Sequence, residues 1–187
     1  MAGGKYKKLT SLWHLQSCGL NVPKYWPIRS EREAARFNFN RCVKWGLRGD
    51  SPYHENRLPF KTNLAPEEAR LETATILREH PHLIVLTQEY IDFDDQLLAG
   101  KYLKEKGHTV IECFTGNRSI RGAIEDGTNL IRFTSLSDYP YTLQPFKGLI
   151  RRGLIDKFSD WLSCCVEWSI YPYEIGILRQ RIIYWEL

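Results

Sequence analysis

Two glutamates lie within apolar, aromatic segments near the end of the sequence and are the clearest candidates for chemistry. Val166-Glu167-Trp168 and Tyr184-Trp185-Glu186-Leu187 each read as a strand that carries one carboxylate. Like charges on one face of paired strands are costly unless a cation compensates them, and Mg²⁺ takes carboxylate oxygens while keeping positions for phosphate oxygens. Glu167 and Glu186 are therefore predicted metal ligands if the register places them on one face. The alternative is that each faces solvent on an edge strand.

Further candidates lie where an apolar strand ends or where glycines let the backbone approach a ligand. The strand of residues 83–91 ends in Thr87-Gln88-Glu89-Tyr90, which suits recognition of a small ligand. Arg48 lies at the end of a short strand, flanked by glycines, and could fork onto a phosphate, while Gly3-Gly4-Lys5 offers an open backbone with a point charge. Each also has a plainer interpretation: a strand end that reaches water, a structural turn and a flexible terminus.

Composition limits the classes of protein that need considering. The chain has 187 residues, 43% hydrophobic and 26% charged, which is typical of a folded protein with one domain or two joined lobes. Its net charge of +4 suits nucleotide phosphates or RNA, without the strong clustering of a dedicated nucleic-acid binder. Five cysteines without a CxxC spacing predict reduced thiols, not disulfides or a zinc site. No apolar run suits a signal peptide or a membrane span, so we expect a cytoplasmic location and no membrane partner.

The pattern of apolar residues predicts helices first and then a mostly antiparallel sheet with one long helix. The predicted helices cover residues 5–18, 31–43, 66–80 and 146–163. The predicted strands cover residues 45–48, 83–91, 110–114, 123–125, 130–133, 166–171 and 181–187, with a turn at 101–107. We therefore expect an α+β fold with an N-terminal lobe, residues 1–82, that carries the helices and the phosphate-contacting segments. A C-terminal lobe, residues 83–187, would hold the antiparallel sheet and the long helix.

Taken in chain order, these fragments resemble the ATP-binding domain of pyruvate phosphate dikinase and phosphoenolpyruvate synthase. That domain opens with GGK, a Leu, a helix and then G-hydrophobic-x-V-P, which Gly3–Leu9 and Cys18–Pro23 resemble. Later segments that resemble pieces of the family are Leu47–Ser51, Phe60–Ala69, Ile84–Ile91, Ala99–Gly100, Val110–Gly116 and Val166–Trp168. The resemblance spans nearly the whole chain, through motifs that are individually loose.

The resemblance implies a two-lobed ATP-grasp fold that holds ATP between its lobes. Carried over residue by residue, it implies that Lys5 and Arg48 act on the phosphates. It also implies that Gln88 and Glu89 lie at the adenine hinge and that Glu112 lies near the ribose or the adenine.

For the metal, the resemblance implies that Glu167 binds Mg²⁺ and that Glu186 matches the second acidic strand of ATP-grasp enzymes in general. The chain departs from the family in three respects. The usual E-x-N ending is missing, the serine run after the arginine is Gly49-Asp50-Ser51, and the phosphohistidine domain and pyruvate-binding barrel are not part of the sequence. A protein partner could supply those domains.

Two hypotheses about function follow. The first is an Mg-ATP-dependent enzyme, a kinase-like phosphotransferase or a ligase, that transfers a phosphoryl group to an unidentified acceptor or activates a carboxylate. The second is a nucleic-acid-binding or adaptor protein with a degenerate nucleotide-binding fold. The residues that support the second hypothesis are Arg29, Arg32, Arg36, Arg41 and Lys44.

Overall fold

The computed structural model describes residues 6–53, 57–116, 123, 130–172 and 180–186, and the chain divides into two compact units. The first contains residues up to Cys18 together with Val22–Ile91, and the second contains Gly19–Asn21 and the chain from Asp92 onwards. The division falls after Ile91, whereas the sequence places it near residue 82, because the strand that ends at Glu89 pairs with strands of the first unit. None of the helices in the described part of the chain has the length and apolarity that a membrane crossing requires.

The first unit is built on a four-stranded antiparallel sheet. Its strands are β1 (Tyr25–Ile28), β2 (Trp45–Asp50), β3 (Phe60–Leu64) and β4 (Ile84–Glu89), in the order β1-β4-β2-β3. The sequence analysis predicted β4 and most of β2. It missed β3, an exposed edge strand without an apolar run.

Helices cover both faces of this sheet. They are α1 (Lys7–Ser17), α2 (Glu31–Arg36) and α3 (Pro66–Glu79). The prediction for α3 is confirmed, with Pro66 in the first turn and a buried stripe at i, i+4, i+7 and i+8 that begins at Ala69. On the opposite face, the buried Leu12 of α1 packs against Ile84 and Leu86 of β4.

The prediction of a second helix through Val43 is wrong beyond Arg36. The helix begins as predicted, since the Ser30 hydroxyl accepts a hydrogen bond from the Glu33 amide at 3.2 Å. It ends because Phe37 adopts an extended backbone, and a single 3₁₀ turn follows at Phe39–Arg41. That break lets the rings of Phe37 and Phe39 pack edge to face at 4.8 Å, beside Trp45.

The second unit holds a five-stranded antiparallel sheet in the order β7-β6-β5-β8-β9. Its strands are β5 (Leu98–Glu105), β6 (His108–Phe114), β7 (Ile131–Phe133), β8 (Cys164–Pro172) and β9 (Gln180–Glu186). The predicted hairpin of β8 and β9 is confirmed. Strand β5 was predicted as a turn because of its lysines and the following Gly107, but the turn is confined to Lys106 and Gly107, both with positive φ. The predicted strand at 123–125 lies outside the described residues except for Ala123.

The prediction of one long helix at residues 146–163 is wrong. A 3₁₀ segment, Tyr141–Phe146, leads into the short helix α4 (Lys147–Ile150) and then a π turn, Arg151–Ile155. One tertiary contact and one local hydrogen bond accompany the irregular geometry. The Tyr184 hydroxyl donates to the Gly153 carbonyl at 2.6 Å, and the Asp156 amide reaches back five residues to the Arg151 carbonyl at 2.8 Å.

Candidate functional site

A row of charged residues crosses the second sheet at one register position. Arg132 on β7 is opposite Glu112 on β6, which is opposite Lys101 on β5. Lys101 is in turn opposite Glu167 on β8, and Glu167 is opposite Glu186 on β9. The charges therefore read positive, negative, positive, negative, negative across all five strands. We call these five residues the charged row.

Ion pairs neutralise most of the charged row. Lys101 Nζ lies 3.3 Å from the Glu167 carboxylate, and the Arg132 guanidinium donates to the Glu112 carboxylate. The side chains of Lys101 and Glu167 are 28% and 32% exposed, so a diffusible ligand can reach them. By formal charge, two cationic and three acidic residues leave the row with one excess negative charge, and the two acidic residues that follow each other in the register are Glu167 and Glu186.

This end of the charged row fits a hard divalent cation. Carboxylate oxygens are the ligands that Mg²⁺ prefers, and Mg²⁺ usually takes only one or two of them from the protein, with water and phosphate oxygens completing its shell. In the described part of the chain, no group of three acidic, histidine or cysteine side chains could hold a metal ion. The sequence prediction required Glu167 and Glu186 to share a face, and the two residues are opposite each other in the register; that they bind a metal stays a prediction.

In the first sheet, Gln88 lies on the α1 face with an unpaired donor. Its side chain is 5% exposed, and its Nε2 atom has no hydrogen-bond partner among the residues that the structure describes. Gly46 is opposite Gln88 on β2, and a Cβ built there would meet only the Lys61 carbonyl, at 3.9 Å. Arg48 follows two residues along β2 and therefore shares this face. The structure thus brings Gln88 and Arg48 onto one face, beside a glycine that leaves space.

Glu89 lies on the other face of the same strand, because successive residues of a strand alternate. Its carboxylate is 3.5 Å from Lys24 Nζ. Burial, and secondarily the negative charge of Glu89, raises the pKa of the nearby Cys42 thiol, which therefore stays protonated. Gln88 and Glu89 were predicted as a pair at one hinge, but as strand residues they face opposite ways.

The segment around Lys5 lies outside the described residues, but the start of α1 is described. The buried Asp50 accepts a hydrogen bond from the Leu9 amide at 2.9 Å, and Lys8 Nζ donates to the Gly49 carbonyl at 2.9 Å. A carboxylate therefore already compensates the positive end of α1. Asp50 stands where the resembled family has serines, and here it joins α1 to β2.

Lys101 is the residue that the sequence analysis missed. Its strand was predicted as a turn, so nothing suggested that it lies between two carboxylates. The signal that could have revealed it is alternation, since Lys101 and Leu103 flank Tyr102, which is 1% exposed.

The basic residues behind the nucleic-acid hypothesis do not form a uniform positive face. Glu31 and Glu33 lie among the arginines of α2, and Glu31 accepts two hydrogen bonds from Arg78, at 3.0 and 2.8 Å. Arg41 lies over the Phe37 ring at 5.6 Å. This surface has mixed charge.

Comparison with known proteins gives a fold and no sequence family. No family model matches the chain, and no curated protein matches it in sequence. Among solved structures, ACD1 of Ca. Korarchaeum cryptofilum, in complex with coenzyme A, is 19% identical with a TM-score of 0.58, over 94% of this chain and 91% of that one.

Two peptide-bound structures also match. Macrocyclase MdnC from Microcystis aeruginosa MRC, bound with precursor peptide MdnA, is 14% identical with a TM-score of 0.51, over 96% of this chain and 51% of that one. A Chryseobacterium gregarium RiPP-associated ATP-grasp ligase, in complex with ADP and a leader and core peptide, is 12% identical with a TM-score of 0.52, over 94% and 49%. The chain thus spans about half the length of these two proteins.

At these identities the likeness shows the fold alone. The resemblance to the dikinase and synthase family in particular stays a prediction. Two compact units, each with an antiparallel sheet and helices, and these structural neighbours establish that the chain has an α+β fold of the ATP-grasp type.

Proposed function

We propose that the chain binds Mg-ATP and uses it to transfer a phosphoryl group, either to an acceptor or to a carboxylate that it activates for ligation. The observation that carries this proposal is the charged row, in which Glu167 and Glu186 are opposite each other in the strand register. The ADP in the C. gregarium ligase gives a precedent for a nucleotide on this fold.

Each residue of the charged row would have a separate task. Glu167 and Glu186 would hold Mg²⁺, which would supply charge stabilisation for the phosphates. Lys101 would exchange part of its contact with Glu167 for a phosphate oxygen, because the metal then satisfies that carboxylate. The ion pair with Arg132 neutralises Glu112, so Glu112 would not compete for the metal.

The first unit carries its own candidate contacts to a nucleotide. The Nε2 donor of Gln88, which has no partner in the described part of the chain, would donate to a ring nitrogen of adenine. Arg48, on the same face, and Lys5 would act on the phosphates. The acceptor stays open, because the neighbours differ: coenzyme A is bound to one and peptides to others.

The test is the thermal stability of the protein with Mg-ATP, with ATP in EDTA, and with AMP. A ligand that binds only the folded state at 100 times its Kd stabilises it by about 2.7 kcal/mol, so the melting temperature should rise with Mg-ATP. Glu167→Gln should weaken Mg-ATP binding at least about tenfold, consistent with the loss of one charge-assisted contact. Glu105→Gln is the matched control, since Glu105 is an exposed carboxylate at the end of the neighbouring strand β5.

Equal responses to Mg-ATP in the parent and in Glu167→Gln would contradict the metal assignment. A short RNA in parallel tests the alternative function. Binding of RNA that falls steeply with salt, without any response to Mg-ATP, would favour the nucleic-acid hypothesis.

A further inference from the structure

The pairing of β8 with β9 changes register directly beside Glu167. Glu167 is opposite Glu186, yet the next residue, Trp168, is opposite Tyr184. Trp185 is therefore an extra residue on β9, which defines a β-bulge. If pairing continued regularly from Trp168, Trp185 would occupy the position opposite Glu167. The bulge thus determines that a glutamate, and not a tryptophan, stands across from Glu167.

A chain of hydrogen bonds begins at the side chain of Trp185 and holds the bulge in place. Its Nε1 donates to Ser169 Oγ at 2.8 Å, and that hydroxyl donates to Gln96 Oε1 at 3.0 Å. Gln96 Nε2 then donates to the Gly116 carbonyl at 2.7 Å. Ser169 and Gln96 are both buried, so water competes poorly for these bonds. The Phe93 ring lies 6.3 Å from the Trp185 ring and supports it on another side.

We propose that Trp185 is a positioning residue for the carboxylate pair, because its hydrogen bond to Ser169 holds the one-residue bulge that places Glu186 opposite Glu167. The consequence for Mg-ATP rests on the proposed function, but the register does not. The two can therefore be tested separately. A bulge on an edge strand can also serve only to discourage pairing with another chain, and the experiments below distinguish that role.

The first experiment measures the register by cross-linking. Cysteines at directly opposed positions have the Cα separation that a disulfide needs, so Glu167→Cys with Glu186→Cys, on a Cys165→Ser background, should oxidise to one intramolecular bridge in peptide maps. Adding Trp185→Phe, which keeps the ring and removes the donor, should lower the yield at least about threefold. If the two cysteines form no disulfide while Trp185 is present, the register is wrong. An unchanged yield with Trp185→Phe overturns the role of Trp185.

The second experiment measures the Mg²⁺ requirement. In Trp185→Phe and in Ser169→Ala, the Mg²⁺ concentration that gives half of the ATP-induced rise in melting temperature should increase at least about fivefold, while binding of ATP in EDTA stays constant. The double variant should be no worse than either single one, because both remove the same bond. A variant that lacks Trp185 altogether should need the same Mg²⁺ concentration as the parent. Without the extra residue, regular pairing places Glu186 opposite Glu167.

Ile182→Val is the control for lost stability. Ile182 is a buried residue of the same strand, opposite Ile170, and its shortening leaves the bulge intact. An equal loss of ATP binding with and without Mg²⁺, as in that control, would reduce Trp185 to a structural residue and overturn the proposal. If the parent does not respond to Mg-ATP at all, the proposed function fails, and the cross-linking result alone decides the register.

Discussion

In the second sheet, charged residues at one register position alternate in sign across four of the five strands, whereas in the first sheet the buried Gln88 has a donor without a partner among the described residues. The difference shows two ways in which an antiparallel sheet can present polar groups to a ligand. Ion pairs keep the charged row stable and reachable without a ligand. The first sheet instead leaves a hydrogen bond unmade, which costs stability until a ligand supplies the acceptor. The following predictions test this contrast from the largest expected effect to the smallest.

The largest effect on stability should come from replacing Gly100, a glycine in a central strand of the second sheet, and Gly46 in the first sheet is the comparison. A Cβ at Gly100 would collide with the Glu112 carbonyl and lie 2.8 Å from Cys113 Cα, so Gly100→Ala should destabilise the protein by roughly 3 kcal/mol. Gly46→Ala has space and should change stability by less than about 0.5 kcal/mol. Urea denaturation of both variants provides the comparison. Similar losses in the two would contradict the difference in packing.

Alkaline pH should destabilise the core of the second unit. Burial raises the pKa of the Cys113 thiol from 9.0 to about 12 and that of the Tyr184 hydroxyl from 10.0 to about 12. Above pH 9 the unfolded thiol ionises while the folded thiol keeps its proton, so stability is full below pH 9 and falls as pH rises towards 12. The free energy of unfolding should decrease by about 1.4 kcal/mol per pH unit above pH 9, and by about twice that above pH 10, where the tyrosine of the unfolded chain also ionises. Cys113→Ala should flatten the profile, whereas removal of the exposed Cys165 thiol should not.

Replacement of Gln88 by leucine should separate stability from binding. Removal of an unpaired buried amide should stabilise the free protein by about 1 kcal/mol, because a buried donor without a partner carries a desolvation cost. The same change should weaken ATP about tenfold and leave inorganic triphosphate binding unchanged, since only the adenine loses a contact. Melting temperatures with each ligand test this. A destabilised variant would mean that Gln88 has a structural role.

Loss of Lys101 should have the smallest effect on stability and a distinctive response to metal. Lys101→Met removes an ion pair between partly exposed groups, which contributes about 0.5–1 kcal/mol. Mg²⁺ alone should then stabilise the variant more than the parent, because Glu167 has lost its cation, while Mg-ATP should bind less tightly. The control is Lys61→Met in the first unit, where Lys61 is paired with Glu72 at 3.7 Å. An identical Mg²⁺ response in the two variants would show that the row does not attract a cation.

The sequence alone determined the elements whose signals are local. The apolar run of β4, the Ser30 cap and the Pro66 start of α3 each depend on residues a few positions apart, and all three lie where predicted. The sequence also identified Glu167 and Glu186 as strand carboxylates. It placed Arg48, Gln88 and Glu89 at or near strand ends, but their roles stay predictions.

Tertiary structure decided which of these residues meet. Lys101 became a candidate only when β5 was found between β6 and β8, because the residues that flank it come from strands 11 and 66 positions away in sequence. The register of β8 with β9 depends on a bulge and a hydrogen bond to Ser169, and no local pattern encodes either. The broken helix of residues 141–155 likewise follows from the Tyr184 contact to Gly153. Local propensity acts over a few residues, whereas strand pairing and buried hydrogen bonds join distant segments, so the positions of the charges were fixed only by folding.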